Sequence, residues 1–320
     1  MFFDCRKSRR DDFRCVARGK FSRAQGWLRA RSGRAEVVPC LRILTVCLWI
    51  FVGVRMVAAE PERVLRVAAD PNNLPFSNER CEGFENRIAE LVARELGARL
   101  EYFWWPQRRG FFRQTIGAGR ADLVIGVAAG IDHVLTTRPY YRSTYVFVQR
   151  AGTGREVTSF DDPRLHELTI GVQMVGDDFN NTPPAHALSR RGMIENVRGY
   201  SLYGDYAQES PPAEIMRAVA RGEIDVAVAW GPMAGYFARR QAVPLDVTPV
   251  TPERDGPVLP LTYAIAMGVG RGDAALKAEV DAVIERRGAE IAKILAEYGV
   301  PCLELKGSGA EKEADDVAVR

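Results

Sequence analysis

Residues 62–128 alternate between apolar, β-branched runs and stretches of helical periodicity, and this alternation constrains the fold more than any other feature. The run VLRVAA predicts a strand that ends in the turn cluster Asp70-Pro71-Asn72-Asn73. Apolar residues then recur at helical spacing until Gly97, which predicts a helix end. Strands that alternate with helices form a parallel sheet covered by helices. The predicted elements are strands at 64–69, 99–105 and 121–128, and helices at 84–96 and 113–119.

The alternation returns in the second half of the chain. Thr182 and Ser210 are each followed by proline, which predicts two helix starts, and Gly222 predicts the end of the second helix. The other predicted elements are strands at 168–172, 224–230 and 261–269, and a helical region at 273–298 that breaks near Gly288. We therefore expect two α/β units, at 62–147 and 150–258, and a return segment from about residue 260. Two crossings make a hinge, and the cleft between the units is the expected ligand site.

Residues 1–59 differ from the rest of the chain in composition. They hold 13 basic and 4 acidic residues, a net charge of +9, whereas the remainder carries −6. The apolar run at 43–54 is followed by small residues, which indicates a signal peptide cleaved after Ala59. A membrane anchor is disfavoured because spanning a bilayer takes about 20 apolar residues. We expect a periplasmic protein with no membrane association after cleavage, and its acidic mature chain argues against nucleic-acid binding.

The sequence contains no catalytic or metal-binding motif. His133, His166 and His186 lie far apart and lack ligand spacing. We therefore expect no enzymatic activity, no cofactor and no metal. Cys81 and Cys302 are the two cysteines of the mature chain, and they could form one disulfide or remain two free thiols. The small, charged segment 304–320 is predicted to be disordered.

Several strings follow the order found in the family 3 extracellular solute-binding proteins across nearly all of residues 62–302. They are VLRVAADPNNLPFSNE, GFENRIAELVARELG, GRADLVIGV, TTRPYYRSTYVFV, LTIGVQ and RGEIDVAVAW. Four strings more specifically resemble the MoxJ-type proteins, namely methanol oxidation protein J and its counterpart in lanthanide-dependent systems. These four are DPNNLPFSN, FWWPQRRGF, TTRPYYRSTYVFV and WGPMAGYFA.

This resemblance implies an α/β fold of the type II periplasmic-binding-protein class, with two lobes joined by two crossover hinge strands. Lobe 1 is expected to comprise residues 60–148 and 259–303, and lobe 2 residues 149–258. The resemblance also implies an accessory role in methanol oxidation, either binding a PQQ-dependent methanol dehydrogenase or assisting its maturation or activation, with the cytochrome c of that enzyme as a further partner. The alternative is a solute-binding protein of an ABC transporter for a small molecule other than an amino acid.

The residues that bind the substrate zwitterion in the amino-acid receptors of this family are replaced here. Gly130 stands where an arginine binds the carboxylate, and Trp230 stands where an aspartate binds the ammonium group. Asp177 and Asp178 occupy a turn whose N–H groups bind the carboxylate in those receptors. An unpaired buried carboxylate costs several kcal/mol, so amino-acid binding is disfavoured. Arg138 and Arg142 could supply positive charge instead.

Candidate site residues fall into two groups. Loops at strand ends carry ligand sites in such folds, and the cleft candidates are Asp70, Asn72, Asn73, Phe76, Asn78, Trp105, Arg138, Tyr140, Arg142, Asp177, Asp178 and Trp230. Trp104 and Trp105 should point to opposite faces of a strand, one toward the core and the other toward the cleft or a partner. Cations beside aromatic residues are consistent with a docking patch or with a solvated helix start. The patch candidates are Trp104, Arg108, Arg109 and Phe111.

Overall fold

The computed structural model of the protein describes residues 62–152, 154, 156–175, 181–203 and 206–305. The predicted signal peptide with its cleavage site, the Asp177-Asp178 turn and residues 306–320 of the predicted tail lie outside these ranges. Within the described ranges, no helix combines the length and the apolar character needed to cross a membrane.

Fourteen strands are described, and most of them join one sheet. In chain order they are β1 (Val64–Ala69), β2 (Asn72–Asn73), β3 (Ser77–Asn78), β4 (Arg99–Trp104), β5 (Leu123–Ala128), β6 (Leu135–Thr136), β7 (Tyr141–Arg150), β8 (Ile170–Met174), β9 (Val197–Ser201), β10 (Val226–Trp230), β11 (Leu245–Pro249), β12 (Arg254–Asp255), β13 (Leu259–Pro260) and β14 (Thr262–Val269).

The described helices lie on both faces of this sheet. They are α1 (Phe84–Glu95), α2 (Phe111–Gln114), α3 (Pro183–Arg190), α4 (Glu214–Arg221), α5 (Gly231–Ala238) and α6 (Ala274–Glu297), with short 3₁₀ turns at Pro163–His166 and Pro211–Ala213.

The sheet runs in the order β4-β1-β5-β14-β7-β10-β8-β9. Strands β4, β1 and β5 are parallel, as are β10, β8 and β9. Between these two groups lie β7 and β14, which pair with each other in antiparallel fashion through Thr262–Ile265 and Tyr141–Thr144. The second half of β7 pairs with β10, and the second half of β14 pairs with β5. We call the part built on β1, β4 and β5 lobe 1, and the part built on β8 to β11 lobe 2; β7 and β14 cross between them.

Each lobe buries its sheet under helices. In lobe 1, α1 and α6 cover one face, where Phe84, Ile88 and Val283 are fully buried. In lobe 2, α4 and α5 cover one face with residues such as Met216, and α3 packs on the other. Burial of such side chains stabilises each lobe by roughly 1.5–3 kcal/mol per large residue. The lobe boundaries in residue numbers stay a prediction.

A close backbone contact fixes the loop after β1 against the start of α1. The Asn86 Oδ1 accepts from the Gly83 and Asn78 amides at 3.1 and 3.2 Å, and the Glu85 amide donates to the Phe76 carbonyl at 2.9 Å. A Cβ atom at Gly83 would lie 2.0 Å from that carbonyl oxygen. Only glycine therefore allows this approach, which holds the loop 72–78 in place at the cleft.

Several details of the predicted elements need correction. The helix α6 runs unbroken through Gly288, because Ile284 and Ile291 on either side of it are buried and their packing offsets the roughly 1 kcal/mol cost of glycine in a helix. The helix predicted at 113–119 spans only Phe111–Gln114. Thr182 stands at the N-cap of α3, as predicted, but its hydroxyl donates to the Gln173 carbonyl at 2.6 Å and makes no side-chain cap. Ser210 precedes a 3₁₀ turn and likewise makes no side-chain cap.

Candidate functional site

A cavity of about 250 Å³ lies between the two lobes. The described residues that line it include no lysine, arginine or histidine, and Asp70 is the one charged residue among them. Lobe 1 contributes Asp70, Asn73, Phe76 and Gln107. Lobe 2 contributes Gln173, Leu202, Tyr203, Tyr206, Pro212, Trp230 and Met233. The site is therefore largely aromatic and amide-lined, with a single carboxylate. We call it the cleft cavity.

Asp70, at the end of β1, is 3% exposed, and its carboxylate is fully engaged within the protein. One oxygen accepts from the Asn72 amide at 2.9 Å, and the other accepts from the Gln107 amide at 2.6 Å. The hydroxyl of Tyr206, from lobe 2, donates to that second oxygen at 2.6 Å. Burial and the bond to this carboxylate raise the pKa of Tyr206, so the phenol stays protonated and donates. Tyr206 thus supplies a third donor to this carboxylate, from the other lobe.

Further contacts hold the segment 206–209 of lobe 2 against lobe 1. The side-chain amide of Asn72 donates to the carbonyls of Gln208 and Tyr206, at 2.9 and 3.3 Å. The guanidinium of Arg108 lies 4.5 Å from the centre of the Tyr206 ring, a cation–π contact. At the rim, Arg80 pairs with Glu209 at 3.2 Å. The cleft is therefore closed by hydrogen bonds within one chain.

The aromatic walls are held rigid by other aromatic rings. Trp230, at the end of β10, meets Tyr145 and Tyr263 edge-on, with ring centres 5.3 and 5.9 Å apart. Phe76 tilts against Phe84 at 5.3 Å. Rings packed in this way lose little further freedom on binding, so the walls are preformed.

Glu85 places a second carboxylate near Asp70. Its Oε1 lies 2.0 Å from where a Cβ atom of Gly126 would be, so the glycine makes room for the carboxylate. Burial, with a smaller contribution from the charge of Asp70, raises the pKa of Glu85 to about 8. Tyr140 and Tyr141 of the core are also close enough to interact with its charge. Glu85 is therefore protonated at neutral pH.

The structure brings five of the predicted cleft residues together. Asp70, Asn73, Phe76 and Trp230 line the cleft cavity, and Asn72 bonds across its mouth. Gly130 is an exposed turn residue with φ of 79° and is not among the lining residues. The roles of these residues in ligand binding stay predictions.

Three predicted cleft residues belong elsewhere. Tyr140 is core, with its hydroxyl donating to the Ile125 carbonyl at 3.2 Å. Asn78 donates to Glu82 at 2.7 Å and organises the start of α1. Trp105 packs on the lobe 1 cluster around Val124, stacked 6.3 Å from Phe103. Each is held by nearby partners that keep it away from the cavity.

The two arginines proposed as cleft cations are already paired. Arg138 is exposed and pairs with Glu285 of α6 at 2.9 Å. The Arg142 side chain is 9% exposed and pairs with Glu253 in the crossover region. Neither arginine lines the cleft cavity. Each guanidinium instead pairs with a carboxylate that is distant in the sequence.

The candidates for the docking patch differ in how far they are exposed to solvent. Phe111 is 4% exposed and packs in the core, so it offers a docking partner little more than the edge of its ring. Trp104 is half-buried and stacks on Tyr102 with centres 4.6 Å apart, on the face opposite Phe103 and Trp105. Arg108 and Arg109 are exposed.

Cys81 and Cys302 are two free thiols, so the possible disulfide is not formed. Cys81 lies in the loop before α1 near Tyr102, whereas Cys302 lies in the final segment near Tyr140 and Tyr141. Among the described residues, no group of three or more His, Cys, Asp or Glu side chains could hold a metal ion.

Sequence reasoning missed Gln107, Tyr206 and Glu85. The segment 200–206 carries three tyrosines at intervals of three residues, and this cluster is the local signal that could have drawn attention to Tyr206. No comparable signal marks Glu85, since its partner Gly126 is distant in the chain.

No family model matches the chain. The fold is similar to the crystal structure of the periplasmic binding protein XoxJ from Methylobacterium extorquens AM1, with a TM-score of 0.63 and 39% identity. That alignment covers 76% of this chain and all of the other. The chain therefore has the two-lobed fold of the type II periplasmic binding proteins, as the sequence predicted.

Relatives in sequence are more specific. MoxJ of Methylorubrum extorquens AM1 is 37% identical over 261 residues, which are 78% of this chain and 85% of that protein. MoxJ of Paracoccus denitrificans is 32% identical over 254 residues, covering 75% and 89%. The chain belongs to the MoxJ family.

Proposed function

We propose that the chain is a periplasmic accessory protein of a PQQ-dependent methanol dehydrogenase system, which acts by binding the dehydrogenase. The hydrogen bond between Tyr206 and Asp70 carries this proposal. In a solute receptor, a carboxylate facing the cleft is an anchor for the ligand. Here a residue of the same chain occupies it, and closure needs no ligand.

The lack of zwitterion anchors among the described residues of the cleft supports the same function. Trp230 and the other described cavity residues offer no cation to a substrate carboxylate, and Arg138 and Arg142 are paired elsewhere. Leaving a carboxylate unpaired in such a site is costly. Amino-acid delivery to a transporter is therefore disfavoured, while membership in the MoxJ family favours a role beside the dehydrogenase.

A pull-down from a periplasmic extract tests this proposal. The bait is the chain from Glu60, the extract comes from methanol-grown cells of the source organism, and the control bait is an amino-acid receptor of the same fold. We expect the dehydrogenase, with or without its cytochrome c, on the first bait alone. If no quinoprotein dehydrogenase is recovered on this bait, the proposal is wrong.

We also propose that the signal peptide exports the chain to the periplasm and is cleaved after Ala59. The small residues Val57-Ala58-Ala59 after the apolar run support this site. Amino-terminal sequencing of the protein from the periplasm should begin at Glu60. Recovery of the uncleaved chain in the membrane fraction would contradict it.

A second candidate function is that of a receptor for a small solute other than an amino acid. It is favoured by the cleft cavity itself, whose volume of about 250 Å³ and preformed aromatic walls suit a small uncharged or cationic ligand. Such a ligand must displace Tyr206 or bind beside it. A thermal-shift screen on the wild type and on Tyr206→Phe should then give hits with larger shifts in the variant, and no hits on either protein would exclude this candidate.

A further inference from the structure

A second cavity, of about 610 Å³, adjoins the mouth of the cleft and shares Gln107 and Tyr203 with the cleft cavity. Its walls come from the segment after β4, the turn before β6 and the turn before α6. We call it the basic groove. It is lined by residues 107–113, Gly117, Ile131, His133, Tyr203 and Arg271.

The groove concentrates positive charge. Four arginines and one histidine line it, and no aspartate or glutamate is among the described lining residues. Asp132 is a neighbour of His133 in the chain but lies outside the lining, and the Asp273 carboxylate accepts from the Leu276 amide at 3.0 Å to cap α6. These are the nearest acids in sequence, and neither forms an ion pair with a described arginine of the groove.

Three of these arginines differ from most others in the protein. Arg109, Arg113 and Arg271 make no ion pair with any described residue. Elsewhere, arginines such as Arg138 and Arg191 pair with carboxylates at 2.8–2.9 Å. Like charges that share a groove repel each other, so a set left unpaired is suited to an anion from outside the chain.

The groove suits a segment of protein better than a small ligand. Its basic side chains are exposed on the surface, whereas small ligands are usually enclosed over most of their area. Phe112 and His133, with ring centres 5.4 Å apart, add an aromatic floor that a peptide side chain could cover. The planar guanidinium forks match carboxylates in a bidentate manner.

A nucleic acid fits less well. Residues 60–320 carry a net charge of −6, which opposes a long phosphate backbone. A short acidic peptide responds mainly to charges within a Debye length of about 8 Å, and the charged residues among the described lining of the groove are basic.

We propose that the basic groove docks an acidic segment of the partner protein, with Arg109, Arg113 and Arg271 pairing with its carboxylates. This inference rests on the proposed function, because it requires a protein partner. It gives that partner a defined chemistry: a surface segment rich in aspartate or glutamate, with an apolar side chain to cover Phe112. Association should weaken as salt concentration rises.

The test compares charge reversal with a matched control. The double variant Arg109→Glu/Arg113→Glu reverses the charge of two groove arginines. Arg254→Glu reverses an exposed arginine elsewhere that also makes no ion pair with a described residue. Circular dichroism verifies folding, and Arg109→Gln/Arg113→Gln serves if the reversal does not fold. Two affinities are measured by fluorescence anisotropy and interferometry: for a fluorescein-labelled ten-residue glutamate-rich peptide, and for the purified dehydrogenase.

We expect reversal in the groove to weaken both affinities at least about tenfold, and Arg254→Glu to change neither beyond about twofold. Unchanged dehydrogenase binding in the groove variant overturns the inference but leaves the proposed function standing. Binding of citrate or an oligonucleotide in preference to the peptide also overturns it. If the wild type binds no dehydrogenase at all, the proposed function fails, and the inference fails with it.

Discussion

The cleft cavity and the basic groove adjoin each other, but they differ in the sign of their charged side chains and in whether those side chains find partners within the chain. Among the described residues that line the cleft cavity, Asp70 is the one that carries a charge, and three donors of the protein satisfy it. The basic groove holds four arginines, three of which find no carboxylate among the described residues. Gln107 and Tyr203 line both.

This difference shows where the protein has left interactions to be made. A buried carboxylate without partners would destabilise the fold by several kcal/mol, so the cleft completes its own bonds. Exposed guanidinium groups are solvated and cost little when unpaired, so they can remain unpaired until a partner arrives. In this fold the carboxylate of the cleft cavity is therefore satisfied within the chain, whereas three arginines of the basic groove make no ion pair with a described residue.

The largest expected effect is a loss of stability when the loop at the cleft wall is displaced. Gly83→Ala places a Cβ atom 2.0 Å from the Phe76 carbonyl oxygen, so either the loop 72–78 or the start of α1 must move. We expect a loss of about 3 kcal/mol in the free energy of unfolding, measured by urea denaturation. Gly272→Ala is the control beside the groove, because no atom lies within 4 Å of its Cβ position, and it should change stability by less than about 0.5 kcal/mol. Equal effects would show that this backbone contact is unimportant.

The next-largest expected effect is a pH dependence of the free energy of unfolding, caused by Glu85, which lies near Asp70 of the cleft. The pKa of Glu85 is about 8 in the folded protein and near 4.5 when unfolded, so the folded state holds the proton more tightly. Its contribution to stability is complete below about pH 4.5 and is lost as the pH rises toward 8. We expect wild-type stability to fall by about 2 kcal/mol more between pH 5 and 8 than that of Glu85→Gln, allowing for partial solvent access. Glu90→Gln, an exposed site on the same helix, should keep the wild-type slope.

A smaller effect should follow from removing the bond between the lobes. Tyr206→Phe deletes the hydroxyl that donates to Asp70, while the amides of Asn72 and Gln107 still satisfy that carboxylate. We expect the closed state to lose about 1.5 kcal/mol, seen as a larger radius of gyration in small-angle scattering and a change in Trp230 fluorescence. Tyr200→Phe is the control, since its hydroxyl bonds no described residue. An unchanged radius in both variants would mean that other contacts close the cleft.

The sequence predicted the framework of this comparison but not its chemistry. Periodicity located β1, α1, β4 and β5 to within a few residues, because each has a clear alternating or helical apolar pattern. It missed α5, whose residues are all buried and therefore lack an amphipathic face. It also missed β9 and β11, which are short and half-exposed.

The site depended on contacts that are distant in the chain. Asp70, Asn73 and Phe76 were predicted because a loop after a first strand faces the cleft in such folds. Arg142 was misplaced because its partner, Glu253, is separated from it by 111 positions. The pairing of Tyr206 with Asp70 spans 136 positions, and no local pattern specifies it.

The smallest expected effect separates paired from unpaired arginines. Arg138 and Glu285 are 2.9 Å apart, with side chains 50% and 73% exposed, so solvent screens their attraction. Arg138→Gln should therefore change the free energy of unfolding by about 0.5 kcal/mol or less. It should also leave the affinity for the acidic peptide unchanged, because the guanidinium of Arg138 is already neutralised and does not line the basic groove. A loss of peptide affinity as large as that of the groove variant would mean that the net charge of lobe 1, rather than the local arrangement of unpaired arginines, attracts the acidic segment.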